Sequence, residues 1–371
     1  MRTILHIGMY KTGTTALQAV WAENAAALLD KGILYPLVSP DTTAHHVLFW
    51  LRPDGEPDDA LGRPDEQRVH RARTALDRIE QEVADKRPEV LLLSTERWFR
   101  DFGPGPAELV SRLRAFSDTV EVVAWVREPV SRFIATYLQV SRRTTRQSGV
   151  KAPNYRQPLE VWEGLVGREN VKVRIYDRAH LVGGDIITDF DAAVFAGQLD
   201  LPPSSKAVQN VSLSAEAALI FQTYAAALTK SDDWTPKKQF EQVLDDLRHA
   251  DAEVLAGRSP RLKPETEAVL RAPWDDVLWL RETYGITFKT VDYAAPPPPP
   301  LRPATPAGIC DVFDIDNARM AALVERLIVT QPQIWWMLSE QKDLKRTFTA
   351  SYHAIFRHFW RRPRVGPRGI D

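Results

Sequence analysis

Short apolar runs bounded by polar residues recur along the first half of the chain: residues 3–8 (Thr-Ile-Leu-His-Ile-Gly), 90–93 (Val-Leu-Leu-Leu), 120–126 (Val-Glu-Val-Val-Ala-Trp-Val) and 171–176. Near-continuous apolar segments of this length suit strands of a parallel sheet covered on both faces. Between the first two, Val69, Ala72, Leu76, Ile79 and Val83 recur at spacings of three and four in an otherwise charged segment, which predicts an amphipathic helix. Segments 184–196 and 214–228 also read as helices, the second capped by Ser212 or Ser214. Strand alternating with helix predicts an α/β layer fold.

The pattern breaks late. Seven of the 27 prolines fall within residues 296–306, which forces an extended, semi-rigid linker. The division expected is a domain over 1–293, a proline-rich linker over 294–308 and a helical extension over 309–371. Within the extension, residues 317–328 and 333–359 read as helices, the latter rich in aromatic residues.

Composition changes this picture little, and charge changes it in one place. The 371 residues are 44% hydrophobic and 26% charged, as in ordinary globular proteins. A net charge of -1 gives no global field for nucleic acid or an anionic membrane. Residues 340–371, however, carry +5, so the remainder carries -6. That basic, aromatic tail suits peripheral contact with an anionic membrane or a polyanionic acceptor. The lone Cys310 excludes an internal disulfide and a cysteine metal site. The first residues lack a signal peptide's apolar region, and no stretch approaches a membrane span. Together these predict a cytoplasmic protein, with the tail placing it at the inner membrane face.

The chemistry is carried by the residues after the first strand, Gly8-Met9-Tyr10-Lys11-Thr12-Gly13-Thr14-Thr15. A glycine-containing turn between strand and helix presents backbone N–H groups and the positive end of the helix dipole, which together cradle a phosphate. Gly8, Gly13 and Thr15 keep the spacing of a nucleotide-triphosphate loop, but Thr14 stands where its lysine belongs and the lysine is Lys11. No Walker B carboxylate follows either apolar run at 90–93 or 120–126. A kinase or NTPase is therefore the weaker alternative.

The loop resembles the 5′-phosphosulfate loop of sulfotransferases that use 3′-phosphoadenosine 5′-phosphosulfate (PAPS), in particular bacterial and carbohydrate-type members. Residues 125–139, with Arg127, Glu128, Pro129 and Tyr137, are similar to that family's 3′-phosphate segment. The likeness covers about residues 1–290. It implies a three-layer, P-loop-like α/β fold with a central, mostly parallel sheet. It further implies PAPS as co-substrate, its bisphosphate as product, no metal, and a hydroxyl or, failing that, an amine of a glycan, glycolipid or small metabolite as acceptor.

The same resemblance assigns roles. Lys11 faces the leaving-group oxygen, and the amides of Thr12, Gly13 and Thr14 with the Thr14 and Thr15 hydroxyls hold the phosphosulfate. Arg127 binds the 3′-phosphate. Position 135 is alanine where the family has serine, which leaves Ser131, Arg132 or Thr136 to assist Arg127, and which also suits a catalytically degenerate scaffold. The general base is His46, His45 or Glu96. A histidine titrates near operating pH, while Glu96 follows a strand end, where layered α/β folds place ligands. Trp98 and Phe99 either line a nucleotide or sugar pocket or pack the core. The acceptor pocket falls to loops 37–63, 140–160 and 229–262.

Overall fold

A computed structural model describes residues 1–38, 43–52, 66–99, 105–145, 147, 149–202, 213–232, 238–255, 260–298 and 308–331. The acidic and proline-rich stretches at 53–65 and 299–307, residues 333–359, for which the sequence predicts a helix, and the basic tail lie outside the described residues.

The chain divides into two compact units. The first comprises residues 1–132, 152–209 and 271–298. It is built on five parallel strands: β1 (Arg2–His6), β2 (Ile33–Leu34), β3 (Val90–Ser94), β4 (Thr119–Val126) and β5 (Val171–Ile175), in the order β2-β3-β1-β4-β5. β1 is central. Its last residue, His6, pairs with Ser94 of β3 and Val123 of β4.

Period-two alternation sorts the strand side chains between two cores. Ile4, Leu92, Val123 and Trp125 pack with Leu17 and Trp21 of helix α1 (Thr14–Glu23) and with Phe190 of the Ile186–Phe195 helix. Leu5, Leu91, Leu93, Val122 and Ala124 face the opposite way, onto the Glu66–Lys86, Gly105–Leu113, Arg156–Val166 and Asp275–Tyr284 helices. The unit is thus a three-layer α/β fold, with Ala72, Leu76, Ile79 and Val83 forming the buried stripe of the charged helix. A sheet buried on both faces explains why β1, β3 and β4 read as almost uninterrupted apolar runs.

The second unit comprises residues 133–151, 210–270 and 299–371, and its described part is helical. The Ala215–Thr229 helix is capped by Ser214, whose hydroxyl accepts from the Ala217 N–H at 3.0 Å. The Lys238–Leu255 and Asn317–Thr330 helices contribute Phe240, Leu247, Met320, Leu323 and Leu327 to its core. Among the described residues, no helix is long and apolar enough to cross a membrane.

Candidate active site

The carboxyl ends of β1, β3 and β4 meet at one edge of the first unit's sheet, the position where layered α/β folds bind ligands. The β1 to α1 turn is tightly wound. Thr12 is fully buried and its Oγ1 donates to the Met9 carbonyl at 2.6 Å. Lys11, at the apex, holds a left-handed φ of 66°, a conformation that costs a side-chain-bearing residue about 1–3 kcal/mol. Gly13 (φ 77°) then starts α1 without a side-chain cap; its carbonyl accepts from the Ala16 and Leu17 amides, and the Thr14 and Thr15 amides have no carbonyl one turn back within the helix.

Two glycines are dictated by space. A Cβ on Gly8 would lie 2.2 Å from Thr14 Oγ1, and one on Gly13 would lie 2.9 Å from Ile186 Cγ2. Thr14 is 4% exposed and its hydroxyl has no hydrogen-bond partner. A buried, unsatisfied hydroxyl calls for a polar partner. Thr15, by contrast, is exposed.

Arg127 closes the turn from the end of β4. Its Nη1 donates to the Lys11 carbonyl at 2.9 Å and its Nε to Ser131 Oγ at 2.9 Å, and the guanidinium lies 5.7 Å from the centre of the Tyr176 ring. Burial lowers its pKa, opposed by Tyr176, Glu128 and Asp177. Glu128 serves the backbone beside it. Its Oε1 accepts from the Ser131 N–H at 2.6 Å, Oε2 from the Val130 N–H at 3.2 Å, and Thr290 donates its hydroxyl to Oε2. It caps the Pro129–Val140 helix, with Pro129 at the first helical position. Thr136 is five positions beyond Ser131, about 140° around that helix, and belongs to the second unit. The structure therefore joins Lys11, Arg127 and Ser131 in one hydrogen-bonded group that does not include Thr136.

The three candidate bases separate cleanly. His45 is fully buried, with Nδ1 accepting from the Ser94 N–H at 3.0 Å and Nε2 donating to the Pro36 carbonyl at 2.8 Å. Burial lowers its pKa to about 4. With both nitrogens committed to backbone, it pins the segment before it to the end of β3 and has no lone pair for an acceptor. His46 is half-buried, and only its Nδ1 is engaged, at 2.6 Å from Thr95 Oγ1. Burial, and secondarily the charge of Arg97, lower its pKa. With the proton on Nδ1 and donated to Thr95, Nε2 presents a lone pair. Glu96, also half-buried, opens the Glu96–Phe99 turn.

Trp98 and Phe99 are core residues. Trp98 packs edge-on to Trp162, whose Nε1 donates to the Trp98 carbonyl at 3.0 Å.

One position beside the turn escapes sequence reasoning. His6 is fully buried, its Nδ1 lies 2.9 Å from Ser94 Oγ, and the Ser94 hydroxyl also accepts from Gln18 Nε2 at 3.0 Å. Its Nε2 has no partner, and its Cε1 lies 3.2 Å from where a Gly8 Cβ would stand. Burial lowers its pKa to about 3. A neutral histidine thus floors the turn and ties β1, β3 and α1 together. The only signal was a titratable residue ending an otherwise apolar strand.

Among the described residues, no group of three or more histidine, cysteine or carboxylate side chains could hold a metal ion. No protein-family model, curated protein or solved structure matches the chain.

Proposed function

We propose that the chain is a PAPS-dependent sulfotransferase with a P-loop-like fold. The observation that carries this reading is the bond from Arg127 to the Lys11 carbonyl. It unites the two segments, 8–15 and 125–139, that resemble the two halves of that family's nucleotide site. The partnerless Thr14 hydroxyl and the space that only glycine can occupy at position 8 support an anion in the turn.

On this reading the amides of Thr12, Gly13 and Thr14, with the Thr14 and Thr15 hydroxyls, hold the 5′-phosphosulfate. Arg127 and Ser131 take the 3′-phosphate without the serine that position 135 lacks. An acceptor oxygen forms its bond to sulfur as the sulfur–oxygen bond to the 5′-phosphate breaks, and the acceptor proton passes to His46 Nε2. The ammonium of Lys11 offsets charge on the departing oxygen. Positioning and preorganised electrostatics supply the rate, as in phosphoryl transfer. His46 is preferred to His45 because both ring nitrogens of His45 are occupied. Glu96 contacts the acceptor, a hydroxyl of a glycan, glycolipid or small metabolite.

Calorimetric titration tests the reading. Adenosine 3′,5′-bisphosphate is expected to bind without Mg²⁺ and to bind at least 10-fold more weakly to Arg127→Ala. Preferential binding of Mg-ATP would overturn the assignment in favour of a kinase or NTPase. Bisphosphate binding with no transfer to any acceptor would identify a degenerate scaffold.

A further inference from the structure

The second unit buries charge that its own side chains satisfy incompletely. Glu216 opens the Ala215–Thr229 helix and is 3% exposed, and Asp251, in the Lys238–Leu255 helix, is 2% exposed. Arg319, from the Asn317–Thr330 helix, approaches both. Its Nε lies 3.6 Å from Glu216 Oε2 and its Nη2 lies 3.8 Å from Asp251 Oδ1. One oxygen of each carboxylate is bonded: Glu216 Oε1 accepts from the Asp316 N–H at 3.0 Å, and Asp251 Oδ2 from the Ser214 N–H at 2.6 Å. The atoms that face one another, Glu216 Oε2, Asp251 Oδ1, Arg319 Nε and Arg319 Nη2, are all buried without a hydrogen-bond partner.

Unpaired buried polar groups are strongly unfavourable, and charged ones most of all. The identity of the unpaired atoms says what completes them. Two accept and two donate, and Nε and Nη2 form one side of the planar guanidinium fork, so their N–H bonds point the same way. A metal or ammonium ion would satisfy the oxygens but face the guanidinium charge. A halide would satisfy the guanidinium but face two carboxylates. Water donates twice and accepts twice, and so matches all four atoms. The separations of 3.6 and 3.8 Å are those of loose ion pairs and exceed hydrogen-bond length, so neither pair is directly hydrogen-bonded and a water beside them can reach both partners. A buried water holds its place with two to four polar partners.

We infer that Glu216, Asp251 and Arg319 form the binding site of one ordered water molecule, and that this water completes a lock holding the 317–330 helix on the other two. The segment after the proline stretch therefore supplies the cation of this cluster, and through it the water site.

A crystal structure of the full chain is the primary test. A single density peak within about 3.2 Å of all four atoms is expected, with no anomalous signal after bromide or rubidium soaking. Arg319 closed directly onto both carboxylates with no peak would overturn the inference, as would an anomalous scatterer at the site. Arg319→Lys supplies a second readout, since it keeps the charge and loses the fork. It is expected to lower the thermal midpoint by several degrees and to lose the water, whereas an unchanged midpoint would show that charge alone suffices and would overturn the lock.

Discussion

On the proposed reading Lys11 is asked to do two things that conflict, since its ammonium is wanted at the apex of the turn while its backbone occupies a conformation suited to glycine. The conflict can be measured. Lys11→Gly should leave stability unchanged or raise it by about 1 kcal/mol, by relieving left-handed strain, while Lys11→Ala keeps the strain. Both should lose transfer by at least about 100-fold, the scale of removing one donor from a charged transition state. Thermal melts and PAPS turnover, run side by side, separate the two effects. The histidines give a second residue-scale expectation. On the proposed reading His46 takes the acceptor's proton and must be neutral to do so, and burial holds its pKa below the ordinary histidine value of 6.5. The acid limb of kcat/KM should therefore fall below pH 6.5 and the rate be flat at neutrality. Full activity of His46→Gln, against an expected loss of about 100-fold or more, would eliminate it as the base. His6 and His45 act on stability instead. Their folded pKa values, about 3 and about 4, lie below 6.5, so the unfolded chain binds their protons first. Stability should fall as pH drops from about 6.5 to about 3, by several kcal/mol in all, as urea midpoints across that range would show.

Elements position these residues, and two of them invite direct test. Glu128→Ala removes the carboxylate that caps the Pro129–Val140 helix and accepts from Thr290, and should cost about 0.5–2 kcal/mol. Thr290→Val should cost less, and the pair should be less than additive because they share one bond. Gly8→Ala drives a methyl group into Thr14 Oγ1 and should abolish bisphosphate binding. The Gly8→Ala, Thr14→Ala double variant should regain stability without regaining affinity, as calorimetry can report. Much of this layer was legible in the chain. β1, β3 and β4 are apolar because both their faces are covered, and the glycines at 8 and 13 bracket the turn because sterics leave them no substitute. What was not legible depends on partners remote in sequence. β2 is only two residues, Ile33–Leu34, too short to show a period. The sequence favoured His46 over its neighbour only narrowly, and the physical reason emerged where the Ser94 N–H and the Pro36 carbonyl claimed His45. Glu128 resembled a motif residue, and only the geometry showed its use as a cap. Glu216, Asp251 and Arg319 are more than thirty residues apart and carry no shared pattern.

At the scale of the whole molecule, the position of β1 constrains how the chain is made. Of the five strands, the first synthesised is the central one, and its neighbours are β3, at residues 90–94, and β4, at 119–126. Even the amino group of Met1 is held by Asp118, and Thr3 by Ser117. At about 5–20 residues per second, the strand waits on the order of ten seconds for its second partner to be translated. During that interval its isoleucine and leucine side chains, fully buried in the finished protein, have no sheet to enter. Long-range parallel pairing of this kind is intrinsically slow. The same residues that place the Lys11 turn at the end of the central strand thus leave apolar side chains without partners while the chain is being made. Moving residues 1–24 to the carboxyl terminus by circular permutation would shorten the exposure, and the permutant's soluble yield should depend less on chaperones than that of the native order.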